Sequence, residues 1–203
     1  RLENPVDLEH LEYTPSDDPA PEKRDLQDAL AEARREIDAM REVVGERFGP
    51  EFEAVFHTQI QILEDHGFVG KIEQGVEESG NALTSLRDVL EAYRSTFERI
   101  EDPYFRERVS DIEDVGRRVM EKLLGVRRHV RPMQPGSIVV VDNVYPELFA
   151  NLEIDAVAAL VSEHGGATSH GAIFARTLEI PAVTGVESIL ELAREGQTAI
   201  VDG

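Results

Sequence analysis

The sequence predicts two architectures joined in one chain, an antiparallel helical bundle over residues 16–125 and a small α/β domain over residues 126–203. Two observations carry this reading. Apolar residues recur at alternating three- and four-residue spacings through residues 21–125, the stripe of a helix packed on its neighbours. After Gly125 that period gives way to short, uninterrupted apolar runs bounded by turn residues, which read as buried strands.

The first stripe is Leu26, Leu30, Ala33, Ile37, Met40 and Val44, with Ser16, Asp17 and Asp18 as candidate N-caps and Gly49-Pro50 as the stop. A second, Phe52, Val55, Phe56, Ile60 and Leu63, is expected to end at His66-Gly67. A short helix around Ile72 and Val76 breaks at Gly80-Asn81. Leu83, Leu86, Leu90, Tyr93, Phe97 and Ile100 form a further stripe. Asp102-Pro103 then starts the last one, through Phe105, Val109, Ile112, Val119 and Leu123 to Gly125. Short connections between long helices favour antiparallel packing, so these stripes are assigned to a bundle core.

In the second half, Ser137–Val141 and Ala156–Ser162 are the expected first two strands. Ala182–Thr184 and Thr198–Val201 are the expected third and fourth. Short helices are expected near Pro146–Asn151, Ser169–Leu178 and Glu187–Arg194. Residues 1–15 are polar and extended, with Pro5 and Pro15. They are assigned to the α/β domain, which makes the bundle an insertion.

Composition narrows the function classes. The net charge of −20 disfavours binding to nucleic acid or to anionic membranes and favours basic partners. Residues 16–125 hold 27 acidic against 15 basic residues, a net of −12, so the bundle carries most of the excess. The absence of cysteine excludes disulfides, thiolate nucleophiles and cysteine-based metal sites. No apolar run reaches the roughly 20 residues of a membrane span and no signal peptide opens the sequence, which leads to the expectation of a cytoplasmic protein.

The stretch that carries chemistry is Glu163–Gly185, EHGGATSHGAIFARTLEIPAVTG. A strand ends at Ser162, two glycines follow, and His170 falls in the first turn of the next helix. Gly165 and Gly166 permit positive φ and close approach of another molecule. The unsatisfied N–H groups at a helix start favour an anion. A neutral imidazole there can attack phosphorus while N–H donors hold the phosphoryl oxygens. Thr168 and Ser169 add hydroxyls, as donors to phosphate or as helix caps. His164, Glu163 and His170 do not have the spacing of a helix-face metal site, and no metal is assigned to this chain. His10, His57, His66 and His129 read as surface residues.

The motif GGATSHGAIFAR followed by EIPAVTG resembles the phosphohistidine signature of phosphoenolpyruvate-utilising enzymes. GERFGPEFEAVF with ILED, and DPYFRERVSDIEDVGRRVMEKLLG, are similar to the helical carrier-docking part of enzyme I of the phosphotransferase system, including its nitrogen-related paralogue. The resemblance implies a swivelling α/β phosphohistidine domain with an inserted helical bundle. It also implies that His170 is phosphorylated on Nε2, supported by Gly165, Gly166, Thr168, Ser169 and Arg176. The phosphoryl group would come from phosphoenolpyruvate and pass to a histidine of a small phosphocarrier of the HPr or NPr type. Mg²⁺ and phosphoenolpyruvate would belong to a C-terminal barrel beyond this sequence, the chain being the phosphocarrier half of a longer enzyme, with no cofactor of its own. Two positions depart from the family pattern: Ala167 replaces a common arginine, and Phe149 is aligned with a threonine that faces the active histidine.

Docking is expected on the Gly45–Asp65 hairpin. Ile62 lies off the apolar stripe, so Ile60, Ile62 and Leu63 cannot all face one core, and with Phe56 they are the apolar docking candidates. Glu51 and Glu64 offer an acidic rim to a basic carrier. The alternatives are the mobile domain of another phosphoenolpyruvate-utilising enzyme acting on a small molecule, and a regulatory relic that no longer transfers phosphate.

Overall fold

A computed structural model describes residues 16–97, 103–126, 133–167 and 169–202, without the side chains of residues 103–108. They fall into two compact units, a helical one within residues 6–127 and an α/β one within residues 128–203. Residues 1–15, and with them their assignment to the α/β domain, lie outside the described residues.

The helical unit holds α1 (Pro19–Phe48), α2 (Glu53–Glu64), α3 (His66–Ser79), α4 (Ala82–Phe97) and α5 (Pro103–Leu123). Asp18 is the N-cap of α1, its Oδ1 accepting from Ala20 N at 3.0 Å, and the helix stops at Gly49 with φ +109°. A single 3₁₀ turn, Pro50–Phe52, leads into α2. The joint expected at His66-Gly67 lies slightly earlier. Asp65 caps α3 by accepting from Phe68 N at 2.7 Å, so the short helix around Ile72 runs a full 14 residues. One capping aspartate is enough to turn the chain, because it satisfies an N–H that the new helix would otherwise leave orphaned.

The core is built by Leu26, Ala33, Ile37 and Val44 of α1, Phe56, Ile60 and Leu63 of α2, Phe68, Ile72 and Val76 of α3, and Leu86 of α4. Two stripes depart from expectation. On α4 the apolar face rises out of the core: Tyr93 and Phe97 are half-buried and stack at 6.2 Å between ring centroids. On α5 the buried face is rotated from the expected one. Val115 and Val119 are buried together with Asp111, Asp114 and Arg118, while Ile112 and Leu123 are half-buried. Of these, Arg118 is paired across to α1, its Nη1 3.5 Å from Glu36, and the neighbouring Lys122 bonds the same carboxylate. A helix with charged partners waiting on its neighbour can turn charges inward, which an apolar period alone does not reveal.

The α/β unit holds β1 (Ser137–Val141), α6 (Pro146–Asn151), β2 (Val157–Ser162), α7 (His170–Thr177), β3 (Ala182–Val183) and α8 (Ile189–Leu192). The three strands are parallel in the order β1-β2-β3, with Val139 opposite Leu160 and Leu160 opposite Ala182. Parallel strands need crossovers, supplied here by α6 and α7. Phe149 of α6 and Phe174 of α7 are buried and stack at 5.0 Å with 22° between ring planes. Because the strands run one way, the loops after β1, β2 and β3 gather at one edge of the sheet. The fourth strand expected at Thr198–Val201 does not form. Those residues join no ladder, and Ile200 is 95% exposed. An apolar run becomes a strand only where a neighbour offers its hydrogen bonds.

Phe56 is fully buried in the helical core. Phe56→Ala is expected to destabilise the helical unit by about 3–5 kcal/mol through lost burial and the cavity left behind. Denaturant unfolding followed by helical circular dichroism measures it.

Candidate functional site

The site grows out of the C-terminal edge of the parallel sheet. β2 ends at the fully buried Ser162, whose Oγ donates to His164 O at 2.6 Å. The loop is then tied to the end of β1, with Glu163 N donating to Val141 O at 3.1 Å and His164 N to Asp142 O at 2.7 Å. His164 Nδ1 also lies 3.3 Å from Asp142 O. A carbonyl only accepts, so Nδ1 carries the proton in this contact. On the other side Val186 N donates to Ser162 O, and Glu163 Oε2 accepts from Leu190 N at 3.2 Å. The loop is therefore held from both neighbouring strand ends.

Gly165 and Gly166 have different roles. Gly165 sits at φ +101°, and a Cβ there would stand 2.9 Å from Asn143 Oδ1, so both backbone and space demand glycine. Gly166 has no positive φ and nothing within 4 Å of a Cβ position, so the expected positive φ applies to the first glycine alone. The room at Gly166 is open to a second molecule. The N–H groups of Gly165, Gly166 and Ala167 donate to no acceptor among the described residues. Three consecutive exposed donors face whatever enters there.

Ser169 caps α7, its Oγ accepting from Ala172 N at 3.3 Å. That assigns its hydroxyl oxygen to the helix. His170 is the first residue of α7 and is half-buried. Thr168 lies outside the described residues. Arg176 is exposed in the last turn, and its guanidinium makes no ion pair among the described residues. Six residues carry it about 9 Å along the helix axis and on to another face, so α7 does not bring it beside His170. Phe149 is fully buried against Phe174 and fills the core of the α/β unit.

The docking residues separate into two groups. Phe56, Ile60 and Leu63 are buried in the helical core and offer no surface to a partner, a correction to their expected role. The stripe at 3.6 residues per turn turned all three inward. Ile62 is half-buried, and Glu51 and Glu64 are exposed. Glu64 is engaged by Arg34 at 2.8 Å, a solvent-exposed pair of small energetic weight.

Sequence reasoning passed over two residues. Gly171 lies in the first turn of α7, where a Cβ would run into Val144 O and come within 2.5 Å of Val144 Cβ. The helix thus meets the β1–α6 joint backbone to backbone. The available signal was a glycine inside a helix, which costs about 1 kcal/mol against alanine and marks a close approach. Asn143 is the other; it follows the end of β1 and reaches Gly165. Nothing in the sequence sets it beside a loop 22 residues away.

Comparisons with known proteins agree with this organisation. The family described as "PEP-utilising enzyme, N-terminal" matches residues 3–108, and "PEP-utilising enzyme, mobile domain" matches residues 133–203. The phosphoenolpyruvate-protein phosphotransferase of Enterococcus faecalis is 36% identical over 181 residues, covering 88% of this chain and 32% of that protein. The protein of the same name from Streptococcus equinus is 36% identical over 200 residues, covering 97% of this chain and 34% of its own length. The chain thus spans about a third of the length of these curated relatives. A solution structure of enzyme I superposes with a TM-score of 0.75 at 26% identity, covering 96% of this chain and 78% of that one. The N-terminal domain of the nitrogen enzyme I superposes with a TM-score of 0.62 at 27% identity, covering 88% and 73%. The chain belongs to the phosphoenolpyruvate-utilising enzymes, as a homologue of enzyme I carrying that family's N-terminal and mobile domains.

Proposed function

We propose that this chain relays a phosphoryl group through His170, taking it from phosphoenolpyruvate in the full-length enzyme and handing it to a histidine of a small basic phosphocarrier. The observation that carries the reading is the placement of His170 on the first turn of α7, beside a loop with three unsatisfied N–H groups and open space at Gly166. In the first half-reaction the Nε2 lone pair forms the N–P bond as the donor's P–O bond breaks. The enolate leaves with the electron pair and is protonated to pyruvate. In the second, the carrier imidazole attacks phosphorus and the P–N bond to His170 breaks, returning its electrons to Nε2. The protein's part is to orient the ring and stabilise charge on the phosphoryl oxygens with preorganised donors. Ala167 leaves that task to neutral N–H groups rather than to an arginine. Mg²⁺ is assigned, as the resemblance implies, to the C-terminal barrel of the full-length enzyme, and no step here is routed through it. No helix of the described residues is long and apolar enough to cross a membrane, and the expected cytoplasmic setting suits a soluble relay.

Incubation with the phosphorylated carrier is expected to label the chain in reverse with acid-labile, base-stable phosphate, and His170→Ala to abolish that label while leaving helical content unchanged. Mass spectrometry placing the phosphate on another residue of the unsubstituted chain overturns the assignment.

The two glycines generate a paired test. Gly165→Ala is expected to destabilise the α/β unit by about 1–2 kcal/mol, because it places a Cβ at positive φ against Asn143. Gly166→Ala is expected to leave the melting temperature unchanged but slow phosphotransfer, since its methyl group occupies space meant for the incoming phosphoryl group. Thermal unfolding and transfer kinetics on both variants separate the effects.

For docking, the surface formed by α2 and the 3₁₀ turn before it, with Ile62, Glu51 and Glu64, meets the carrier. The net −12 of residues 16–125 speeds encounter with a basic protein and loses influence as salt rises. Glu51→Lys with Glu64→Lys is expected to slow association, and Ile62→Asp to speed dissociation while the fold is kept. An NMR titration with the carrier in which signals of the α/β unit shift and residues 45–65 stay silent would falsify the docking surface.

A further inference from the structure

Asn143 stands at the C-terminal edge of the sheet, two residues after the end of β1, with its side chain against the Gly165 turn. Its Oδ1 accepts from Val144 N at 2.9 Å and lies 2.9 Å from where a Gly165 Cβ would stand. Because the backbone N–H only donates, this bond fixes which end of the amide is oxygen. The other end, Nδ2, then has two N–H donors and no acceptor among the described residues. The residue is half-buried, so these donors are partly withdrawn from solvent. They join the N–H groups of Gly165, Gly166 and Ala167, which also lack acceptors. Four residues from two strand ends therefore present donors, and none presents an anion acceptor of its own.

We infer that Asn143 contacts the phosphoryl group carried by His170, donating from Nδ2 to a phosphoryl oxygen while its Oδ1 stays bonded to Val144 N. The inference rests on the phosphohistidine reading of His170 and adds a catalytic residue to it. The ligand chemistry is a tetrahedral phosphoryl dianion on nitrogen. Ala167 provides no charge to that group, and the asparagine supplies a neutral donor from the neighbouring strand end. A donor to a charged acceptor is among the stronger hydrogen bonds in proteins, and its loss is felt most as charge moves on to the oxygens during transfer.

The alternative role for Asn143 is purely structural, a cap for Val144 N that shapes the Gly165 turn. The two roles predict opposite orders for two substitutions. Asn143→Asp keeps the acceptor for Val144 N and the shape of the side chain, but replaces the donor with an anion. Asn143→Ala removes the cap and the donor together. Potassium phosphoramidate serves as a carrier-independent probe: the His170 imidazole attacks phosphorus, the P–N bond breaks, and ammonia leaves with the electron pair and a proton. Site-resolved mass spectrometry follows phosphate on His170, with His170→Gln as the zero and thermal unfolding as the measure of folding.

The expected result is about tenfold slower labelling for Asn143→Ala and a further tenfold loss for Asn143→Asp, with the aspartate variant at least as stable as the alanine one. Asn143→Ala labelling more slowly than Asn143→Asp, or both labelling at the rate of the unsubstituted chain, overturns the inference. Failure of the unsubstituted chain to label at His170 with either phosphoramidate or the phosphorylated carrier instead overturns the phosphohistidine reading beneath it.

Discussion

The α/β unit depends on one close approach, the backbone of α7 at Gly171 against the carbonyl of Val144. A side chain at residue 171 would hold the helix off the β1–α6 joint. Without one, the first turn of α7 sinks on to that joint, and Phe174 one turn later reaches Phe149 for a buried aromatic stack. Contact at the start of the helix and stacking at its middle fix both its height and its direction. His170, adjacent to Gly171, inherits that position. Its placement is thus set by the packing of the first two turns of α7, and the loop before it is left free to present donors.

That freedom is limited by anchors on both sides of the loop. Residues 163 and 164 are pinned to the end of β1, and Glu163 is pinned again to the start of α8. Ser169 ends the loop by capping the helix. Between these anchors, residues 165–167 keep their N–H groups unsatisfied and exposed. Unpaired donors are tolerable because they are exposed, where water satisfies them until an anion replaces it. The αL conformation of Glu179, φ +56°, at the exit of α7 is a further local strain, accepted where Ile180 N returns to Ala175 O and ends the helix sharply.

The helical unit meets a different requirement. It carries a large acidic excess, yet its α5 turns Asp111, Asp114 and Arg118 inward, and Arg118 and Lys122 answer Glu36 on α1. Such pairing adds little net stability but specifies which helices are neighbours and in what register, since a slipped α5 would bury charges without partners. The outward acids stay exposed, as the proposed encounter with a basic carrier requires. Opposite Phe68 of α3, the half-buried Tyr93 and Phe97 of α4 keep part of the apolar surface near solvent.

The sequence by itself determined the division into a bundle and an α/β unit, the existence of each helix, and the histidine on which the proposed relay rests. Those features are local. Helical periodicity is written at three and four residues, strand runs are contiguous, and the glycine, hydroxyl and imidazole groups of residues 165–170 lie within one short segment. The tertiary structure decided everything that depends on residues far apart in the chain. It separated the α2 side chains, sending Phe56, Ile60 and Leu63 inward and leaving Ile62 at the surface. It rotated α5 to bury Asp111, Asp114 and Arg118, the last of them paired with Glu36 of α1, withheld a strand from Thr198–Val201 for want of a ladder neighbour, and brought Asn143 against Gly165. A hydrogen-bond partner or a close backbone contact across tens of residues has no period in the sequence, because it exists only once the two strand ends share one edge of the sheet.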